Sequence, residues 1–245
     1  MVRQLIYLIS LESRLVIRHS RSKKIVLGSF AGGLGLILFI LSWKEAKPLH
    51  KTINEISFFF LMNIFLSFFY MGYGQYNFSW NCNHFNFLSV NKISWNNFFL
   101  AKLNFLIVAN IFLETIPIFY ILFFESKTLL FYLICSILFN AGILSLTSLF
   151  FAVHNTQRID ISSTGVFANW QGLGKNQHLL FIPYVFAMVI AISIGICTNE
   201  IILTWYISAV IGLVTVLLTR FWLKWLIIIF KKNRYKIIEG FNNSK

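Results

Sequence analysis

The stretch Leu129–Val153, LLFYLICSILFNAGILSLTSLFFAV, runs 25 residues without a charged side chain. The hydrocarbon core of a bilayer is about 30 Å thick and needs roughly 20 apolar residues of helix to cross it, so this stretch reads as a membrane span. Working outward, Ile25–Trp43, Ile56–Gly74, Leu103–Phe124, Leu179–Cys197 and Ile201–Phe221 read the same way. The expectation is an all-α polytopic membrane protein with six transmembrane helices. The composition agrees, being 58% hydrophobic with a mean hydropathy of +0.73.

Charge then orients the spans, because short loops rich in Lys and Arg stay in the cytoplasm while Asp and Glu count for little. Six spans put 17 of the 21 Lys and Arg on one side and leave Lys44, Lys47, Lys51 and Lys127 on the other. Both termini are therefore expected in the cytoplasm, with the chain multi-pass. Residues 1–24 form a cytoplasmic interfacial segment, 25–221 the transmembrane domain and 222–245 a basic tail. A pI near 9.8 would suggest nucleic acid in a soluble chain, but here the cations flank spans, where anionic lipid headgroups are the simpler partner. The first span follows a long basic segment and has no small-residue cleavage site after it, so it reads as retained rather than as a signal peptide.

The segments outside the spans carry pattern of their own. Between Arg3 and His19 a helical stripe of Leu5, Leu8, Ile9, Glu12, Leu15 and Val16 is apolar except at Glu12, which predicts an amphipathic helix in the interface plane. In the first span Gly28 with Gly32, and Ala31 with Gly35, form small-xxx-small pairs; such a face lets another helix approach closely, from the same chain or a second copy. Gln75–Lys102 mixes many Asn with Tyr76, Phe78, Trp80, Phe85, Phe87 and Trp95. Trp and Tyr favour the headgroup level, so a short helix over Phe85–Val90 (Phe85, Phe87, Leu88, Ser89) is expected at the cytoplasmic interface. A second long polar loop, His154–His178, holds Arg158, Asp160, Asn169 and Trp170. Beyond Leu223 an apolar, then basic helix is expected to leave the membrane and run along its surface, with disorder from Gly240.

Glu114 is the one acidic residue deep in a span, and ionisable groups there are costly. Asn110 lies one turn before it, and Pro117 frees the carbonyl of Leu113 by lacking an N–H. The first reading is a neutral, structural carboxyl hydrogen-bonded to Asn140 or Ser136 of the next span; a substrate path, a gate or a proton relay is the alternative. Catalysis finds no support. The five His lie outside the spans, and there is no His-Glu-x-x-His, no Gly-x-Ser-x-Gly and no second intramembrane carboxylate. The chain is expected not to be an enzyme and to carry no metal or cofactor. Cys82, Cys135 and Cys197 share no oxidising compartment, and Cys82 with His84 lacks two further ligands. Gly172-Leu173-Gly174-Lys175 is followed by Asn176 where a phosphate loop has Ser or Thr, so the chain itself should not bind ATP.

Tyr73-Gly74-Gln75-Tyr76-Asn77-Phe78-Ser79-Trp80, then Ala101-Lys102, and Arg158-Ile159-Asp160 leading to Asn169-Trp170-Gln171-Gly172 resemble an uncharacterised Bacteroidota family of ABC-2-like transporter permeases. The resemblance covers nearly the whole chain. It implies an ABC-2-like fold and a permease subunit driven by a separate ATP-binding subunit docked at a coupling helix, here Phe85, Phe87, Leu88 and Ser89. It also implies pairing, as a homodimer or with a related half. Members of that family are usually longer, so the chain resembles about one half of one. ABC-2 exporters often carry a re-entrant hairpin between spans five and six, where this chain has only Thr198, Asn199 and Glu200. A non-transporting membrane scaffold or accessory subunit is the alternative.

Overall fold

The computed structural model describes residues 2–45, 51–85, 94–125, 127–159, 179, 181–198 and 200–243, and among these every regular element is helical. The α-helices are α1 (Val2–Arg18), α2 (Ser20–Glu45), α3 (Lys51–Gly72), α4 (Trp95–Leu113), α5 (Thr115–Phe124), α6 (Lys127–His154), α7 (Phe181–Cys197), α8 (Ile201–Leu217) and α9 (Thr219–Asn243). Two 3-10 turns, Gly74–Tyr76 and Ser79–His84, follow α3. Central α6 packs against α3, α4, α8 and α9, while α1 lies on α4 and α2 on α3 and α5.

Membrane character is visible on the outside of the bundle. Leu34 and Leu38 of α2, Phe119 and Phe123 of α5, Phe186 of α7 and Leu217 of α8 are all exposed. In water such a surface would be an untenable apolar patch; in lipid it is solvated. Among the described residues, three helical stretches are long and apolar enough to cross a membrane alone: Ser20–Trp43, Trp95–Phe124 and Lys127–His154. A fourth crossing forms if α8 and α9, bent by 61° at Leu218, count as one broken span. This differs from six full-length spans. The apolar part of α3, Glu55–Tyr70, and α7 are shorter apolar helices, and at 1.5 Å per residue they reach only about 24–26 Å.

Expectations for the connection after α3 and for the C-terminal end are corrected. The aromatics of the α3–α4 connection are core residues and not headgroup anchors: Tyr76, Phe78, Trp80 and Phe85 are buried, with Phe78 packed among Phe85, Phe98, Phe99 and Phe230. Order persists past Gly240, because α9 continues to Asn243, Gly240 abuts Thr156 and Phe241 packs edge-on to Phe85. The glycine face of α2 is filled by the chain itself. A Cβ at Gly32 would strike the ring of Phe68 on α3, one at Gly35 would lie 3.0 Å from Phe65, and one at Gly33 would lie 3.4 Å from Pro117 on α5. A closer approach joins α6 to α8, where Gly142 and Gly212 bring backbone against backbone.

Candidate functional site: a buried junction and an intramembrane polar seam

The single acid on the stripe of α1 has a partner. Glu12 is 2% exposed, and its Oε1 accepts hydrogen bonds from Lys102 Nζ at 2.9 Å and Asn81 Nδ2 at 3.0 Å, while Oε2 accepts from the Tyr73 hydroxyl at 3.2 Å. Lys102 also donates to the Asn77 carbonyl at 2.7 Å and lies 5.3 Å from the centre of the Phe98 ring. Burying two charges costs several kcal/mol per ion, recovered only with good geometry and further hydrogen bonds. Those bonds are present, so the charges pin α1, the turns after α3, and α4 into one register.

The same junction reaches the end of α6. Trp80 Nε1 donates to the Tyr73 carbonyl, Ser79 Oγ to the Gln157 carbonyl at 2.9 Å, and Asn155 Nδ2 to Ser79 Oγ at 3.0 Å. The Cys82 thiol reaches the Ile159 carbonyl at 3.7 Å. Segments separated in sequence, Tyr73–Trp80, Ala101-Lys102 and the start of Arg158-Ile159, thus meet at one end of the bundle. Arg21 lies 5.1 Å from the centre of the Tyr76 ring on the same side, and burial pushes the Tyr76 hydroxyl above its usual pKa although Arg21 acts in the opposite sense.

The second site lies inside the bundle. Glu114, 4% exposed, occupies the break between α4 and α5, where its N–H still donates to the Asn110 carbonyl and its carbonyl accepts from Ile118. Pro117 removes the next bond in the ladder, and the breadth that Gly33 leaves on α2 receives its ring. Glu114 lies within electrostatic range of Tyr70 on α3. Two turns back on α3, Asn63 receives Asn140 Nδ2 of α6 at 3.5 Å and, at its carbonyl, the Tyr184 hydroxyl of α7 at 3.0 Å. Ser136 precedes Asn140 by one turn, so Asn110, Glu114, Tyr70, Asn63, Asn140 and Ser136 place a set of polar groups within the bundle. All six are buried.

The structural partners expected for Glu114 are not its partners. Asn140 turns to Asn63, and Glu114 Oε2, Ser136 Oγ, Tyr70 Oη, Asn140 Oδ1 and both polar atoms of the Asn110 amide have no hydrogen-bond partner among the described residues. Each such atom costs about 1–3 kcal/mol when dry, and lipid offers no relief. Asn110, Glu114 and Pro117 are therefore brought together as their spacing implies. Asn63, Tyr70 and Tyr184 extend the seam; they stood in the sequence as isolated polar groups in apolar stretches, a weak signal.

The remaining candidates fare differently. Phe85 is fully buried against Phe230 and Phe241, so its side chain belongs to the chain's own packing and not to a docking contact. Phe87, Leu88, Ser89, Asp160, Asn169 and Trp170 lie outside the described residues. Arg158 is exposed at the junction. No cluster of three or more His, Cys, Asp or Glu that could hold a metal occurs among the described residues.

Apolar helices of spanning length, a lipid-type exterior and a polar interior define a helical membrane protein. The chain belongs to the family of unknown function DUF5687, whose sequence pattern matches residues 4–244. No curated protein and no solved structure matches it.

Proposed function

We propose that this chain is the membrane-spanning permease subunit of an ABC-type transporter, seated in a bacterial inner membrane with both termini cytoplasmic and driven by a separate ATP-binding subunit. The observation that carries the reading is the polar seam: six buried polar side chains set among α3, α4 and α6, with most of their outer atoms unpaired among the described residues, have the character of part of a solute path. A merely structural network would close on itself. The Glu12–Lys102 junction supplies the mechanical part. It clamps the connection after α3, where the resemblance to ABC-2-like permeases puts the ATPase, to α1 and α4, so displacement of that connection is passed to the helix that carries Asn110 and Glu114.

One chain contributes one wall of such a path, and the other wall comes from a second copy or a related half. With the glycine face of α2 consumed internally, the exposed faces of α5 and α7 are left for pairing. The test is purification of the tagged full chain from its own membranes in mild detergent. The expected result is a complex with two permease chains or halves and a subunit that hydrolyses ATP. A stable complex with other membrane proteins but with no ATP-hydrolysing subunit would replace this reading with that of a scaffold.

A further inference from the structure

Where α6 and α7 meet the bend between α8 and α9, a cavity of about 340 Å³ is lined by Leu146, Phe150, Pro183, Thr215, Trp222 and Trp225, among others. Phe150 and Trp225 stack with ring centres 5.5 Å apart and 4° between planes, giving it a flat apolar wall. The Thr215 hydroxyl is already used on the Ile211 carbonyl. The Trp222 indole N–H is buried and has no hydrogen-bond partner among the described residues.

The polar rim lies at one end of this cavity. The His154 ring lies tilted against Phe150 at 4.8 Å, with its Nδ1 2.9 Å from the Phe150 carbonyl, and is solvent-exposed. Asn233 Nδ2 donates to the Val153 carbonyl at 3.4 Å, which holds α9 against the end of α6. Its neighbour Lys232 is exposed and falls seven residues after Trp225, two turns and about 10 Å along the same side of the helix. Lys236 follows one turn later, and the only carboxylate on α9, Glu239, lies beyond it. An apolar slot thus runs toward a cationic edge.

We infer that this cavity binds an anionic glycerophospholipid. One acyl chain fills the slot between Leu146, Pro183 and the Phe150–Trp225 wall, and the phosphate sits at Lys232. Size supports this occupant: the volume falls in the range of small-molecule sites, and a helix about 10 Å across does not fit. Acyl chains fill any lipid-facing slot, so selectivity for the anionic headgroup comes from the lysine at its edge. The inference requires only that the chain lies in a bilayer and stands apart from the permease reading.

The experiment is native mass spectrometry of the delipidated full chain after adding back phosphatidylglycerol or phosphatidylcholine with identical acyl chains. Phosphatidylglycerol should be retained at one per chain, and Lys232→Gln should lower that retention roughly fivefold, the effect of one surface cation on an anionic lipid. Lys231→Gln, on the side of α9 away from the slot, should change little. Leu146→Trp, which fills the slot, should abolish retention of both; should it misfold, the surface lysine variants still decide. Equal retention of the two lipids by the unaltered chain, or unchanged retention in Lys232→Gln, would overturn the site.

Discussion

Gly142→Ala, like Gly212→Ala across the same contact, is expected to be strongly destabilising. Helix propensity alone favours the change, since alanine in place of glycine is worth about 1 kcal/mol in a helix interior. Packing opposes it. A Cβ on Gly142 would lie 2.7 Å from Gly212 Cα and closer still to its carbonyl oxygen, and a Cβ on Gly212 would meet the backbone of Leu138 and Phe139. Backbone cannot swing aside, so α6 and α8 would have to separate along their most extensive contact. The cost should exceed the ~1–3 kcal/mol usual for overpacking, a large part of the about 5–15 kcal/mol that holds a domain together. Gly32→Ala meets only the Phe68 ring, which can rotate, and should cost much less. Thermal unfolding in detergent gives the comparison; a Gly142→Ala protein as stable as Gly32→Ala would show that the helices can part without penalty.

The second large effect concerns the junction. Lys102→Met leaves the Glu12 carboxylate buried with only Asn81 and Tyr73, and Glu12→Leu leaves the Lys102 ammonium facing Asn77 and an aromatic ring. Breaking a buried pair from either side costs about 3–5 kcal/mol, while replacing both partners by apolar residues is often close to neutral. Each single variant should therefore unfold at a much lower temperature than the parent, and the double variant should recover most of the loss. Non-additivity of this sign is the signature of a direct interaction. Small, additive effects would mean that the charges are solvated and that the junction does not fix α1 to α4.

Much of this was legible in the sequence because it depends on local periodicity. Uncharged runs marked the helices, Pro117 marked the break, and the spacing of Asn110 and Glu114 put both on one face. The α1 stripe was apolar except at Glu12, which set that acid apart without saying what it meets. Which partner was not legible, since Lys102 is 90 positions away and no periodic signal links them. The aromatics between α3 and α4 misled because the same amphipathic rings suit a headgroup layer and a buried cluster; only the packing of Phe78, Trp80 and Phe85 distinguishes the two. Gly142 escaped notice for a related reason: leucines stand four residues to either side, so the small-xxx-small pattern that marks α2 is missing there.

The central claim is that Asn110, Glu114, Tyr70, Asn140 and Ser136 line a path that water and solute enter. It is tested by placing single cysteines at Asn110, Ser136 and Asn140 in a full chain whose Cys82, Cys135 and Cys197 are replaced by serine. These are labelled in native membranes with a charged, membrane-impermeant thiol reagent, with and without ATP. The account predicts labelling at these positions, at a rate that changes with ATP, while a cysteine at lipid-facing Phe119 stays unlabelled. Protection of all three seam positions with and without ATP, in protein that folds normally, would contradict it and return Glu114 to a purely structural role.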